Sequence, residues 1–192
     1  IQFIGSTNAA AGGTVLDRQL DTRVFDIDGT GHILISDLTL INSKIGVRIR
    51  QSTNCTLERV GVRATPQFAV DHVAFDISQS TGVTFRACQV YGITNASSAA
   101  IRLSIAQNAR ILNSVLWSNT VAVEIGNSSV TISNTSFGIF GDSSVAYSAD
   151  NNSEIKGDYN NYYRYGGGYV ASILRPLVPG ALNVPVIFDT VQ

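Results

Sequence analysis

The chain predicts an all-β fold: a single-stranded, right-handed parallel β-helix of about six to seven coils, each of roughly 22–28 residues. Three observations predict it. One pattern returns at a near-fixed period over residues 24–137: an apolar–x–apolar triplet, a polar turn, then a segment of the form apolar-x-x-apolar-x-apolar. In every triplet the outer residues are apolar and the centre is charged, as a strand with one buried face requires. No segment carries apolar residues at spacings of three and four over ten positions without Gly, Asn, Ser or Thr breaking the run, which excludes a helical repeat.

The first residues, 1–4, have the alternation of a short strand and are followed by a small-residue loop over 5–13 and by Thr14-Val15-Leu16-Asp17. The triplets then follow as Phe25-Asp26-Ile27, Val47-Arg48-Ile49, Phe75-Asp76-Ile77, Ile101-Arg102-Leu103 and Val123-Glu124-Ile125, their centres 22, 28, 26 and 22 residues apart. Between and after them lie the second segments, at 35–40, 57–62, 85–90, 112–117 and 132–137. Stacked in register, these segments predict two interior columns: Leu38, Val60, Cys88, Val115, Thr135, and Leu40, Val62, Val90, Trp117, Phe137. A coil buries little on its own, so the core forms only when coils stack.

On the outer surface the triplet centres form a third column, Asp26, Arg48, Asp76, Arg102 and Glu124, alternating in sign from coil to coil. Neighbouring strands lie about 4.8 Å apart, so each charge meets opposite charges above and below. This reads as a structural ladder that fixes register rather than as a lyase site, whose carboxylates would gather around a metal.

Asparagines at segment ends, such as Asn42, Asn113 and Asn134, suit tight corners because Asn tolerates a left-handed backbone. Longer corners occur at 64–72 and 93–99, at equivalent places in consecutive coils, and insertions of this kind collect on one face. They offer Gln67, Asp71 and His72 as candidate ligand-binding residues. After residue 140 the pattern weakens, with 147–149 and 154–156 fitting a last, degraded coil. Residues 158–169 hold five of the seven tyrosines, among them Tyr159, Tyr162, Tyr163 and Tyr165. They read as an aromatic cap over the open end or as a surface on which sugar rings stack. Three of the four prolines lie in 175–192 and disfavour a central strand there. The expected organisation is a β-helix over 1–165 and an extended tail or cap over 166–192.

The run of strand, Gly/Ala loop, Thr14-Val15-Leu16-Asp17, Arg23-Val24-Phe25-Asp26-Ile27 and the Ile-Ser-Asp-Leu-Thr-Leu-Ile-Asn stretch ending at Asn42 resembles the first repeats of secreted or surface bacterial right-handed β-helix proteins of the pectate-lyase-like fold. The resemblance covers about residues 1–165 and lies in architectural motifs. It implies the fold and an extracellular or cell-surface setting, and it implies no catalytic residue.

A net charge of −1 offers no basic patch for nucleic acid, and no apolar run approaches the length of a membrane span. The chain starts at Ile1 without a leader, which suggests a processed or excised piece of something longer. Cys55 and Cys88 fall in different interior columns of adjacent coils, too far apart to bridge, and are expected as buried free thiols. Phosphate loops, nucleophile elbows, zinc-binding histidine motifs, paired-aspartate strands and CxxC pairs are absent, so no catalytic residue, metal or cofactor is assigned. These readings favour a non-catalytic structural or adhesive module. Its expected partners are a polysaccharide or cell-surface glycan and further copies of itself along the solenoid axis. The alternative is a carbohydrate-active enzyme: a polysaccharide lyase, a glycoside hydrolase or a phage tailspike depolymerase.

Overall fold

A computed structural model describes residues 1–6, 13–64, 72–95, 97–141, 143–165 and 169–173. In chain order its strands are β1 (Gln2–Ile4), β2 (Thr14–Asp28), β3 (Leu34–Arg50), β4 (Thr56–Arg63), β5 (Val73–Ser78), β6 (Thr84–Arg86), β7 (Gln89–Tyr91), β8 (Ala99–Ser104) and β9 (Ala109–Leu112). They continue with β10 (Val115–Trp117), β11 (Val121–Gly126), β12 (Ser129–Ser133), β13 (Ser136–Phe140), β14 (Val145–Ala149), β15 (Glu154–Asp158), β16 (Asn161–Tyr165) and β17 (Tyr169–Ile173). The chain is a parallel, right-handed β-solenoid of about six turns, and no helix occurs among the described residues.

Each turn has three faces. The triplet face stacks the ends of β2 and β3 with β5, β8, β11, β14 and β17. The second face stacks β1, the starts of β3 and β4, then β6, β9, β12 and β15. The third face stacks the start of β2, the middle of β3, the end of β4, then β7, β10, β13 and β16. Pairing of β17 with β14 carries the stack to Ile173. Of the tail or cap expected over 166–192, residues 169–173 join the stack as β17, and residues 166–168 and 174–192 lie outside the described residues.

Each face sends one side of its alternation into a single continuous core. The triplets contribute Val47, Ile49, Phe75, Ile77, Ile101, Leu103 and Val123, all essentially without solvent exposure. The second face contributes Ile35, Leu57, Phe85, Ile111 and Ile132, each 1% exposed or less. Where the third face turns into the triplet face, the coils present only small side chains inward: Gly46, Ala74, Ala100, Ala122 and Ala146. A Cβ at Gly46 would come within 2.6 Å of the Ala74 carbonyl and 3.4 Å of both Val62 and Leu40, so the bend leaves no room there for a larger group.

The corner between the second and third faces is one residue long and left-handed in successive coils: Asp37, Arg59, Ala87, Asn113, Asn134 and Tyr159 have φ between 49° and 60°. A non-glycine residue adopts this conformation at a cost. The stack offsets it, because the corner amide keeps its place in the ladder: Ala87 donates to the Leu112 carbonyl, Asn113 to Ser133 and Asn134 to Asp158.

That corner also sets the phase of each coil and corrects one expectation. The interior column of the third face runs Leu40, Val62, Val90, Leu116, Phe137, Tyr162, with Leu116 where the sequence pattern suggests Trp117. Likewise Ser114, not Val115, follows the left-handed residue and lies inside. In this coil apolar residues occupy both phases, Ile111 and Leu116 in one, Leu112, Val115 and Trp117 in the other, so hydrophobicity alone does not choose between them. A slip of one residue sends every side chain to the opposite face, and Trp117 thereby moves to the outside.

The cysteines are free and buried. Cys88 lies in the deepest part of the core, where burial pushes its thiol up to about 12, so it stays a neutral, unreactive apolar group at physiological pH.

Candidate functional site

The triplet face carries the charged column in strict register, Asp26 beside Arg48, Arg48 beside Asp76, Asp76 beside Arg102 and Arg102 beside Glu124. The arginines are not shared evenly. Arg48 grips Asp26 through two hydrogen bonds, Nε to Oδ1 at 2.9 Å and Nη2 to Oδ2 at 2.6 Å. Arg102 turns the other way, donating to Glu124 at 2.6 Å and to the Ser97 carbonyl at 2.9 Å. Asp76 sits between two arginines committed elsewhere, and among the described residues no ion pair within 4 Å engages it.

These environments move the two aspartates in opposite directions. The hydrogen bond from Arg48 holds the Asp26 carboxyl below the usual carboxylate range. Burial pushes the Asp76 carboxyl up, against the pull of Arg102 and Arg48. A carboxyl whose folded pKa exceeds its unfolded one disfavours the fold once ionised, and is neutral to stability below the unfolded value. Asp76→Asn is therefore expected to raise the urea midpoint near neutral pH, and the gain is expected to fade as pH falls through the raised folded value and to be gone below 3.8, the ordinary aspartate value. Asp26, with its lowered pKa, contributes stability above the ordinary value that is lost as pH falls through its folded one, so Asp26→Asn should cost stability near neutrality. Urea melts of Asp76→Asn at about pH 7 and about pH 3 test this; a loss of stability at neutral pH would show that the arginine attraction outweighs burial.

Of the candidate residues in the longer corners, Gln67 and Asp71 lie outside the described residues. His72 is not a loop side chain in solvent: it is 1% exposed, and its backbone amide donates to the Ser98 hydroxyl at 2.9 Å. Burial holds its imidazole below the ordinary histidine range, which favours the neutral ring.

The tyrosine-rich segment divides by strand alternation. Tyr162 is interior, 5% exposed; its ring stacks on Phe137 at 5.3 Å and its hydroxyl hydrogen-bonds that of Tyr147. It fills the core and offers no face to a ligand. Tyr159 occupies the left-handed corner and is largely exposed. Tyr163 points outward from the third face, 51% exposed. Tyr165 pairs with Phe140 in the ladder.

The outward phase of the third face brings Tyr163 together with two residues that the sequence pattern does not single out as a site. Its outer column runs Arg63, Tyr91, Trp117, Gly138, Tyr163, one residue from each coil, and the paired Asp17 and Ile41 precede it on the N-terminal side. Tyr91 is 39% exposed and Trp117 is half-buried. The Trp117 ring lies 5.5 Å from that of Tyr163, two coils away, and 5.3 Å from Phe140. The result is a row of aromatic surface along the solenoid axis. Beside it runs a second outer column, Thr39, Gly61, Gln89, Val115, Ser136, Asn161. At the N-terminal end of that column a cleft of about 470 Å³ opens, with Thr14, Asp37, Thr39, Arg59, Gly61 and Gln89 among its walls. Arg59 closes on Asp37 there through bonds of 2.6 and 3.0 Å and also reaches Glu58. The hydrogen bond from Arg59 holds the Asp37 carboxyl below its usual range.

Among the described strand pairs no two carboxylates stand opposite each other on neighbouring coils. No group of three or more His, Cys, Asp and Glu able to hold a metal ion occurs among the described residues. No helix among them is long and apolar enough to cross a membrane.

Fold and site together define the chain as a parallel β-solenoid protein with an aromatic outer face. No protein-family model matches the sequence, and no curated protein matches it. Among solved structures it is similar to a trypsin-treated form of QnrB1, a plasmid-mediated fluoroquinolone resistance protein, with 10% identity and a TM-score of 0.27 over 80% of this chain and 91% of that one. Full-length QnrB1 gives 11% identity and a TM-score of 0.18 over 80% of this chain and 93% of that one. Likeness at this level carries nothing about function.

Proposed function

We propose that this chain is a non-catalytic, adhesive module of a secreted or cell-surface protein, and that it binds glycan on its third face. The observation that carries the reading is the outward row Tyr91, Trp117, Tyr163. Aromatic rings bury apolar area against the C–H face of a pyranose, and tyrosine adds a hydroxyl. The likeness of the first repeats to secreted bacterial β-helix proteins supports the setting. The alternation of acids and arginines in register on the triplet face supports a structural use for those charges.

A glycan-array screen run beside reducing-sugar and unsaturated-product assays on the same polysaccharides tests the proposal. The expected outcome is binding without turnover. Turnover would overturn it in favour of a carbohydrate-active enzyme, a lyase, glycoside hydrolase or tailspike depolymerase. Asp76, whose ionisation burial disfavours between two arginines, would then be the first acid to replace.

A further inference from the structure

We infer that the third face takes an uncharged, linear oligosaccharide laid along the solenoid axis, with Trp117 as its central stacking contact and Gly138 as the positioning residue that seats the indole. This rests on the glycan-binding reading above and specifies its ligand.

The direction follows from register. Tyr91, Trp117 and Tyr163 belong to one column, and a column runs perpendicular to the strands, along the axis. A ligand that touches all three rings must extend across four coils, roughly 14 Å at about 4.8 Å per coil. A single sugar can cover only part of that length.

Gly138 decides where the indole lies. A Cβ on Gly138 would stand 2.4, 2.6 and 2.8 Å from Cδ2, Cε3 and Cε2 of Trp117, so the ring rests directly on the backbone of the next coil. Because position 138 has no side chain, Trp117 leans across it and reaches Tyr163, and two coils share one aromatic surface. Any side chain there lifts the ring and divides that surface.

The chemistry of the ligand follows from the neighbouring groups. The charged member of the aromatic column, Arg63, stands at its N-terminal end, with Asp17 before it, and from Tyr91 to Tyr163 the column carries no charge. The parallel column supplies the amides of Gln89 and Asn161 and the hydroxyl of Ser136. Amides and hydroxyls both donate and accept hydrogen bonds, as sugar hydroxyls do. An uncharged polyhydroxylated chain matches the middle of this face, and the cations nearest the row, Arg63 and the exposed Arg164 beside Tyr163, stand at its two ends.

Trp117 is the only tryptophan, so the intrinsic fluorescence of the whole chain reports on this site. The test is a fluorescence titration with neutral linear glucose oligosaccharides of increasing length, and with uronic-acid oligosaccharides of the same lengths. The expected result is a change in tryptophan emission, and an affinity for the neutral series that rises with length and then levels off. Tyr91→Ala and Tyr163→Ala are each expected to weaken binding about two- to tenfold, the scale of one aromatic contact. Gly138→Ala is expected to weaken it at least as much and to shift the emission of the free protein. Should Gly138→Ala fail to fold by circular dichroism, Tyr163→Ala, which removes an exposed ring, keeps the test intact. Tighter binding of the uronic-acid series would overturn the uncharged ligand while leaving glycan binding in place. Glycan binding that leaves the emission unchanged and survives Tyr163→Ala would overturn the location. Binding of no glycan, in the titration or on the array, would sink the functional reading itself.

Discussion

Phe85→Ala is expected to lower the unfolding free energy by about 3–5 kcal/mol, the scale for truncating a fully buried aromatic side chain. Phe85 is 0% exposed and occupies the interior column of the second face between Leu57 and Ile111. Its ring also meets that of Phe75, on the triplet face of the same region, at 5.3 Å. The loss is therefore felt both along the stack and across the coil. In a solenoid each turn is held by its two neighbours, so a cavity in a middle coil weakens two interfaces together. Against a total stability of about 5–15 kcal/mol for an ordinary domain, this is a large share. The midpoint of urea denaturation, read with an unchanged slope, measures it. A loss below about 1 kcal/mol would mean that the coil interior closes around the missing ring, and that the register placing Phe85 against Leu57 and Ile111 is wrong.

The architecture was legible because two features of the sequence recur from coil to coil at a near-fixed period. Apolar flanks around a charged centre locate each triplet strand. The apolar-x-x-apolar-x-apolar segments locate the other two faces, and their x-x break marks the left-handed corner itself: Asp37, Arg59 and Ala87 all stand there. The candidate site was legible only in part. Tyr163 stands out through its tyrosine-rich segment, whereas Tyr91 is a lone aromatic just past its segment and Trp117 is hidden by the ambiguity of residues 111–117, where apolar residues fill both phases. Asn113 resolves it in hindsight, because a residue that tolerates a left-handed backbone stands in the corner and fixes which neighbours face inward. His72 misleads for a different reason. A histidine beside an aspartate in a long corner looks solvated, but it begins the descent into the strand that starts at Val73, and the fold carries it inside. The aromatic row depends on contacts between coils 21 to 46 residues apart, a kind of neighbourhood that no local pattern records.

The second large effect is expected from a polar residue. The inside of the corner between the second and third faces is lined in its later coils by Ser114, Thr135 and Asn160, buried to 3% exposure or less. They bond coil to coil: the Cys88 amide donates to the Ser114 hydroxyl at 3.2 Å, the Ser114 amide to the Thr135 hydroxyl at 3.4 Å, and the Thr135 amide to the Asn160 side-chain oxygen at 3.0 Å. Asn160 returns a bond through its Nδ2 to the Ile132 carbonyl at 2.9 Å. The left-handed corner turns these backbone groups away from the strand ladder, and the side chains of the next coil meet them instead. Asn160→Ala strips both partners at once, leaving the Thr135 N–H and the Ile132 carbonyl buried with one bond fewer, at about 1–3 kcal/mol for each group left unsatisfied. It also opens a small cavity. The expected result is a fall in the urea midpoint together with faster hydrogen exchange at the Thr135 amide, while amides of the first coils keep their protection, since a solenoid transmits a local loss chiefly to neighbouring turns. Unchanged exchange at Thr135 would show that its amide finds another acceptor when Asn160 is shortened, and that the interior polar line is not what holds the corners closed.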